Sequence, residues 1–198
     1  MKRLLSFFLF CVLGVIGTLA QHPKLLLTKE ELGYMKQHMN EVPAFGRVVD
    51  DLLQKADEAC AAAIQIPTPV DGGGGAVHEQ HKSNYYAMFH AGLAYQYTGH
   101  KKYADFVAQM LMEYAQKYPK WGLHPVNLSP VPGRLFWQTL NESVWLVHTA
   151  MAYDCVYDAL SAKQRKFIEK NLLFNMADFI MNGYGDRKGN HEMFNRMH

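Results

Sequence analysis

The connectors between the helical segments of this chain alternate in length, and that alternation restricts the fold more than any single segment does. The short connectors are residues 40–43, 98–100 and 158–161, and the long ones are residues 66–78, 119–135 and the chain after 183. A short connector joins antiparallel neighbours into an αα-hairpin, whereas a long one leads to the next hairpin. The sequence therefore predicts three hairpins whose long loops all lie at one end of the bundle.

The segments between these connectors have the apolar spacing of amphipathic helices, and no sustained two-residue alternation is present. Thr28 to Glu31 form a capping box at the start of the first helix, and Ser161 with Gln164 caps the sixth. Five of the predicted helices cover about 28–39, 43–65, 79–97, 138–157 and 161–183. In the fourth helix of the chain, a one-sided buried stripe is predicted at Tyr103, Phe106, Val107, Met110, Leu111 and Tyr114. The chain is therefore predicted to be all-α. Repeated hairpins without a self-similar repeat favour an incomplete (α/α) toroid built of antiparallel helical hairpins.

Residues 1–20 have the three parts of a secretory signal peptide. Lys2 and Arg3 precede an apolar run to Ile16, and small residues lead to Ala20, after which cleavage is expected. The apolar run is too short to span a bilayer comfortably. We therefore predict a periplasmic or secreted protein that is not inserted in the membrane after its signal is removed.

The charge of the mature chain points away from nucleic acid. The whole chain has a formal charge of +2, and removal of Lys2 and Arg3 leaves +2 − 2 = 0. No basic stripe is apparent in the rest of the sequence, so no nucleic-acid partner is predicted. Cys60 and Cys155 remain, each within an apolar helical pattern, and they are predicted to be buried free thiols.

Polar residues collect where the first long loop meets the third helix. The segment after Gly72–Gly75 reads His78-Glu79-Gln80-His81-Lys82-Ser83-Asn84-Tyr85. His78 and His81 are spaced to share a metal ion, but no third ligand has a useful spacing, so no metal site and no cofactor are predicted. His191-Glu192 is not a zinc-protease motif either, because residue 195 is Asn. The segment is interpreted as a solvated helix start or a substrate-facing rim.

The fifth helix has two stripes. Trp137, Leu140, Val144 and Met151 are expected to face the core, and Gln138, Asn141, Trp145 and His148 follow helical spacing along a second stripe. Amides bind hydroxyls and carboxylates, and a Trp ring stacks on sugars, so the second stripe suits a carbohydrate. The alternative is structural, with Gln138 and Asn141 capping the helix and Trp145 in the core. Composition alone leaves both interpretations open.

Three blocks of the sequence resemble the alginate and oligoalginate lyases of polysaccharide lyase family 17. They read HEQHKSNYYAMFHAGLAYQYTGHKKYA, PGRLFWQTLNESVWLVHTAMAYDCVYDALS and GNHEMFNRMH, and the likeness covers nearly all of residues 22–198. A more distant likeness connects them to the heparinase II/III group. The resemblance implies an N-terminal (α/α) toroid followed by antiparallel β-sheet domains, and cleavage of acidic glycans by β-elimination.

The resemblance also implies which groups the reaction needs. Elimination requires the C6 carboxylate of the uronate to be neutralised, a base for the C5 proton and an acid for the departing O4. In the family an Asn-His pair neutralises the carboxylate, and it follows the motif that here reads Asn195-Arg196-Met197-His198. The chain stops before that pair, and the family's tyrosine base and acid lie further on. No catalytic residue is therefore assigned, and residues 21–198 are expected to be an inactive N-terminal part of the toroid.

The resemblance also implies, more weakly, a set of contacts between this chain and the uronate chain. These predicted substrate-binding residues are Lys82, Asn84, Tyr85, Gln138 and Asn141. The predicted function is exported cleavage of alginate-type uronate oligomers or polymers, so the expected partner is an acidic polysaccharide or oligosaccharide. A heparinase-type glycosaminoglycan lyase and a non-catalytic glycan-binding helical protein are the alternatives. A toroid glycoside hydrolase would need two facing carboxylates, which no obvious pair supplies.

The signal-peptide hypothesis has a direct test. In an exporting bacterial cell, the mature protein should begin at Gln21, because the small residues up to Ala20 form the cleavage site. N-terminal sequencing or intact mass of the exported protein measures this, and replacing Ala20 with a bulky residue is the matched control that should block processing. Exported protein that retains residues 1–20 would contradict the prediction.

Overall fold

The computed structural model describes residues 21–39, 41–126, 128–129 and 131–183 of the chain. The predicted signal segment 1–20, and residues 184–198 with the His191-Glu192 and Asn195–His198 motifs, lie outside the described residues. Within the described part the regular elements are all helical, which confirms the all-α prediction. The helices are α1 Lys29–His38, α2 Pro43–Ala61, α3 Ala76–Thr98, α4 Lys101–Lys117, α5 Thr139–Val156, α6 Ala162–Ile168 and α7 Phe174–Asn182, and the π-helix Glu169–Leu173 joins α6 to α7.

Both predicted capping boxes are present. The Thr28 hydroxyl accepts from the Glu31 backbone N–H and the Glu31 carboxylate accepts from the Thr28 N–H; Ser161 and Gln164 form the same pair before α6. Each box satisfies backbone donors that the first turn of a helix leaves without partners. These local signals are readable from sequence because all their partners lie within three residues.

The start of α3 differs from the prediction because Asp71 caps it from a distance. Its carboxylate accepts from the backbone N–H groups of Val77 and His78 at 2.9 and 2.8 Å, which lets the helix begin at Ala76 rather than near residue 79. The glycine run makes this return possible. A Cβ on Gly75 would lie only 2.3 Å from the Asp71 side chain, so no larger residue fits there.

The helices form two layers. α3 and α5 lie side by side and run in the same direction, since Tyr85 contacts His148 and, further along, Gly92 contacts Ala152. α2, α4 and the α6–α7 unit run the opposite way and pack behind them. This is the arrangement that antiparallel hairpins produce when they are placed one beside another, and closure of such hairpins into a toroid remains a prediction.

The two long loops in the described part of the chain meet at one end of the bundle, as the connector lengths predict, and the third, after residue 183, lies outside the described residues. A Cβ on Gly72 would lie 3.8 Å from Val126 Cγ1, and one on Gly73 would lie 3.6 Å from the indole nitrogen of Trp137. The first long loop therefore touches the second. We call this end, formed by the two long loops and the starts of α3 and α5, the loop end.

The N-terminal segment closes the opposite end. Asp154, near the end of α5, accepts from the backbone N–H groups of Lys24 and Leu25 at 2.7 and 2.8 Å, and its other oxygen lies 2.5 Å from His22 Nδ1. The His22 ring also stacks on Tyr157, with centroids 3.8 Å apart. The buried Asp154 carboxylate thus holds residues 22–25 against the end of α5.

The core matches the sequence prediction in α4 and differs from it in α5. The stripe in α4 is buried throughout, at Tyr103, Phe106, Val107, Met110, Leu111 and Tyr114. In α5 the prediction that Leu140 and Val144 face the core is wrong, because they are 65% and 39% exposed. Trp137 and Met151 are half-buried.

The inward face of α5 is instead the one with Glu142, Trp145 and Thr149. Trp145 is fully buried against Tyr114, with ring centroids 4.7 Å apart. The structural alternative therefore holds for Trp145. The two stripes of α5 both contain apolar residues, so hydrophobicity alone did not separate them.

Cys60 and Cys155 are free thiols, as predicted, with Cys155 buried and Cys60 half-buried. Burial raises the pKa of the Cys155 thiol to about 12, so that thiol stays protonated at neutral pH. Within the described part of the chain, no helix combines the length and the apolar character needed to cross a bilayer.

The close approach of α3 and α5 at Gly92 gives a stability prediction. A Cβ there would meet Ala152 Cα and Cys155 Cβ at 3.2 Å, so Gly92→Val should lower the free energy of unfolding by about 1–3 kcal/mol through overpacking. Denaturant unfolding measures it. Gly46→Val in α2 is the matched control, because a Cβ at Gly46 meets nothing within 4 Å. Equal stability of the two variants would contradict the close packing of α3 on α5.

Candidate functional site

The five predicted substrate-binding residues lie on the two parallel helices α3 and α5. Lys82, Asn84 and Tyr85 belong to the first half of α3. Gln138 directly precedes α5, and Asn141 belongs to the first turn of α5. The Tyr85 and His148 rings, 4.7 Å apart, fix the register between the helices. Because Asn141 precedes His148 by two turns, it lies about 10 Å nearer the loop end than that ring pair. Asn141 and Gln138 therefore lie at the loop end of the α3–α5 pair, and we call the surface around these two residues the mouth.

Gln138 and Asn141 are half-buried and have uncommitted amides. Gln138 is the N-cap residue of α5, with extended backbone, but its side chain makes no capping hydrogen bond. Neither amide has a hydrogen-bond partner within the part of the chain that the structure describes. The capping role that composition left open for Gln138 is therefore not the one observed. Both side chains retain donors and acceptors for another molecule.

Lys82 supplies a positive charge on the same pair of helices. Its ammonium lies 2.8 Å from the Glu79 carboxylate, one turn earlier on α3, and both side chains are well exposed. An exposed ion pair of this kind contributes little free energy. An anionic ligand can therefore compete for the ammonium at low cost.

Asn84 is buried and its amide is already used. Its Nδ2 donates to the Gln65 carbonyl and to Tyr114 Oη, both at 2.8 Å, and its Oδ1 accepts from Gln80 Nε2 at 3.0 Å. These bonds tie the first long loop to α3 and α4. In this geometry Asn84 positions its neighbours, and direct contact with a substrate would require these bonds to break.

Tyr85 is also buried, with only 3% of its surface exposed. Its ring lies between Tyr86 and His148, at centroid distances of 4.3 and 4.7 Å. Burial, with a further contribution from Tyr86, raises the pKa of the Tyr85 phenol, so the hydroxyl stays protonated. Tyr86 is 45% exposed and presents the accessible ring of this cluster. Contact of Tyr85 with a substrate remains a prediction.

A buried carboxyl group that sequence reasoning missed organises the loop before Gln138. Glu142 is fully buried; Tyr118 Oη donates to its Oε1 at 2.6 Å, and the Arg134 backbone N–H donates to its Oε2 at 2.8 Å. A Cβ on Gly133 would lie 2.1 Å from the same oxygen. The loop therefore wraps around the carboxyl group, and only glycine fits at the closest point.

The Arg134 side chain ties the same loop to α7. Its Nη1 donates to Asn175 Oδ1 at 2.9 Å, and its guanidinium carbon lies 4.6 Å from the centre of the Phe179 ring. Glu142 fixes the backbone of this loop, and the Arg134 side chain anchors the loop to α7. Trp137 and Gln138, which follow in the chain, therefore have a fixed position at the mouth. The Pro132-Gly133-Arg134 sequence indicates a constrained loop. It does not show that Glu142, eight residues after Arg134, binds the backbone of that loop.

Histidines line the buried side of the mouth. His81 Nδ1 lies 2.8 Å from Tyr114 Oη, and burial lowers the pKa of His81 to about 4. Because Asn84 donates to that hydroxyl, its hydrogen is free for Nδ1 of a neutral His81. Burial also lowers the pKa values of His78 and His124. Within the described residues, no three metal-ligating side chains converge on one point.

Two grooves lie on the described part of the chain, and the predicted contact residue Asn84 lines the first of them. One of about 480 Å³ lies between α2 and α3 and is bordered by Ser83, Tyr86 and His90. Another of about 670 Å³ lies between α4 and α6. Neither of these two grooves is lined by Gln138 or Asn141.

Comparison with known proteins gives consistent matches. A sequence model of the family described as "Alginate lyase" matches residues 35–198. The exo-oligoalginate lyase of Saccharophagus degradans is 39% identical over 159 residues, which are 80% of this chain and 22% of that protein. The alginate lyase of Stenotrophomonas maltophilia is 49% identical over 120 residues, which are 61% of this chain and 16% of that protein. The chain therefore spans about a fifth of the length of these curated relatives.

Glu142 gives a prediction of pH dependence. Burial raises the pKa of its carboxyl group from 4.5 to about 7, so between these pH values the folded state holds a proton that the unfolded state releases. Its contribution to stability is therefore full below pH 4.5 and is lost as pH rises through 7, by about 1.4 kcal/mol per pH unit. Glu142→Gln should remove this slope. Chemical unfolding at several pH values between 5 and 7.5 measures it.

The control for Glu142→Gln is Glu113→Gln, which removes a half-buried carboxylate from α4. That variant should keep the wild-type dependence of unfolding free energy on pH. Other groups also contribute to the dependence of wild-type stability on pH, so the difference between wild type and Glu142→Gln is the informative quantity. If the two have the same slope, Glu142 does not hold a proton in the folded state.

Proposed function

Because the chain belongs to the alginate lyase family, whose sequence model matches residues 35–198, we propose that it forms the N-terminal part of an exported polysaccharide lyase. The proposed reaction is β-elimination in alginate-type uronate chains, and the names of both relatives are consistent with it. Within the family, the sequence blocks that include Pro132–Trp145 support assignment to polysaccharide lyase family 17. The hairpin arrangement supports a toroid as the complete domain.

The observation on which the proposal depends is the pair of uncommitted amides at the mouth. Gln138 and Asn141 lie one helical turn apart on α5, and Lys82 adds a cation on the neighbouring α3. Amide N–H groups and an ammonium are suitable donors for a uronate carboxylate, and amide oxygens accept from sugar hydroxyls. These groups would bind and orient a uronate.

The elimination step sets what else such a site must supply. Removing the C5 proton leaves charge on the C6 carboxylate, so donors there stabilise the transition state, and a base and an acid must reach C5 and O4. In our proposal the described residues bind and orient the uronate. The proton-transfer groups belong to the longer protein, as the resemblance to family 17 implies.

The signal-peptide features of residues 1–20 support export, and an extracellular or periplasmic location gives the enzyme access to a polymer that does not enter the cytoplasm. The neutral formal charge of the mature chain is compatible with an anionic substrate only if local groups hold it. Lys82 and the two amides are such local groups.

The role of Gln138 and Asn141 can be separated from a structural one. In the full-length enzyme, Gln138→Ala and Asn141→Ala should each lower kcat/KM on alginate roughly ten- to a hundredfold, because a hydrogen bond to a charged group contributes about 1.5–3 kcal/mol. The Tm should stay close to that of wild type. The 4,5-unsaturated product absorbs in the ultraviolet, so its appearance measures the rate.

Gln54→Ala is the matched control, because that amide lies exposed on α2 and binds only Glu58. It should leave kcat/KM unchanged. Variants at Gln138 and Asn141 that melt early but turn over normally would assign both residues to folding. Product formation from heparan sulfate or hyaluronan rather than alginate would favour the glycosaminoglycan alternative.

A further inference from the structure

A second groove, on the outer layer of the fold, is lined by lysines. It lies between the second half of α4 and the α6–π-helix segment, and it has a volume of about 670 Å³. Lys163, Lys166 and Lys170 border one side, and Gln116 lies on the other. Met112 and Phe167, both half-buried, form an apolar floor. The groove shares none of its residues with the mouth at Gln138 and Asn141.

The three lysines lie along one side of their helix. They are spaced i, i+3 and i+7, which places them on one face and spreads them over roughly 10 Å at the ordinary helical rise. All three are exposed. The row is not apparent as a basic stripe in the linear sequence, because Phe167, Ile168 and Glu169 separate Lys166 from Lys170.

The charges of the row are not neutralised by the protein. Within the described part of the chain, none of the three lysines forms a hydrogen bond or an ion pair, and the described lining includes no carboxylate. Of the acids nearest to the row along the chain, Asp158 pairs with Lys29 at 2.9 Å, and Glu169 accepts from Tyr153 Oη at 2.5 Å. By contrast, Lys29, Lys55, Lys82, Lys101 and Lys102 each pair with a carboxylate.

We propose that this groove is a second, non-catalytic binding site for an acidic polysaccharide chain. The lysine ammonium groups would meet successive carboxylates, the Gln116 amide would bond hydroxyls, and Phe167 with Met112 would contact the C–H face of the sugar rings. The proposal rests on the proposed function, since family membership is what favours a uronate polymer over another polyanion. Three cations on a mature chain whose net formal charge is zero suit one charge per sugar rather than a dense phosphate backbone.

A site of this kind changes how the enzyme meets a long polymer. A chain held on the outer layer stays at high local concentration near the mouth, so the mouth rebinds it more often than it would a free chain. The gain requires a substrate long enough to occupy both places. Short uronate oligomers that reach only the mouth are unaffected.

The test is a triple variant, Lys163→Gln, Lys166→Gln and Lys170→Gln, in the full-length protein. Apparent KM for polymeric alginate should rise roughly tenfold, since three weak surface contacts each contribute a small factor, while kcat and the kcat/KM for a uronate trisaccharide stay unchanged. Direct binding of alginate should also become less sensitive to salt, because fewer counterions are released.

The control is a second triple variant, Lys24→Gln, Lys29→Gln and Lys101→Gln, which removes the same net charge from exposed positions elsewhere. It should behave as wild type on both substrates. If both triple variants raise the KM for polymer equally, the effect is one of net charge and the site is refuted. An unchanged KM and alginate affinity in the groove variant would refute it too.

Two further outcomes separate this proposal from the proposed function. If the full-length protein eliminates no uronate polymer but binds alginate through the three lysines, the lyase proposal fails and the groove stands. If it cleaves alginate normally and the groove variant binds alginate as wild type does, only the groove fails. If double-stranded DNA binds as tightly as alginate, and this binding is lost in the groove variant, the polysaccharide assignment is wrong.

Discussion

The mouth of this protein depends on one buried carboxyl group. Glu142 lies where water does not reach, and a carboxylate without partners there would cost several kcal/mol. It is tolerated because the Tyr118 hydroxyl and the Arg134 backbone N–H both donate to it. The dependence is mutual, since without the carboxyl group that N–H would lack this partner. The loop, the end of α4 and the start of α5 are joined in this way.

Polar groups at the loop end divide into two kinds by whether their hydrogen bonds are complete. Asn84 uses both hydrogens of its amide nitrogen and its oxygen on protein partners, so it works for the fold. Gln138 and Asn141 lie within about one helical turn of the buried Glu142 and have no such partners in the described residues. A rigid support beneath uncommitted amides is what a binding surface requires, because the amides need not be released from other bonds first.

The sequence was informative where the responsible contacts are local. Both capping boxes and the buried stripe of α4 involve residues close in the chain, and the structure has them. The exposed positions of Leu140 and Val144 were not predictable, because they follow from Trp145 packing on a helix some thirty residues away. The structural roles of Asp71 and Glu142 were not predicted for a related reason. An acidic residue in a polar segment looks solvated until its backbone partners are known.

The attachment of the chain start to Asp154 has a consequence for the order in which the protein folds. His22, Lys24 and Leu25 are separated from Asp154 by about 130 residues, and the bonds between them close the largest loop of the described fold. A chain that emerges from a ribosome or a membrane channel with its N-terminus first must wait for nearly all of α5 before this contact is available. Residues 21–25 are thus synthesised early and fastened late. Until then, helices α2 to α4 pack together without the segment that finally binds the end of α5.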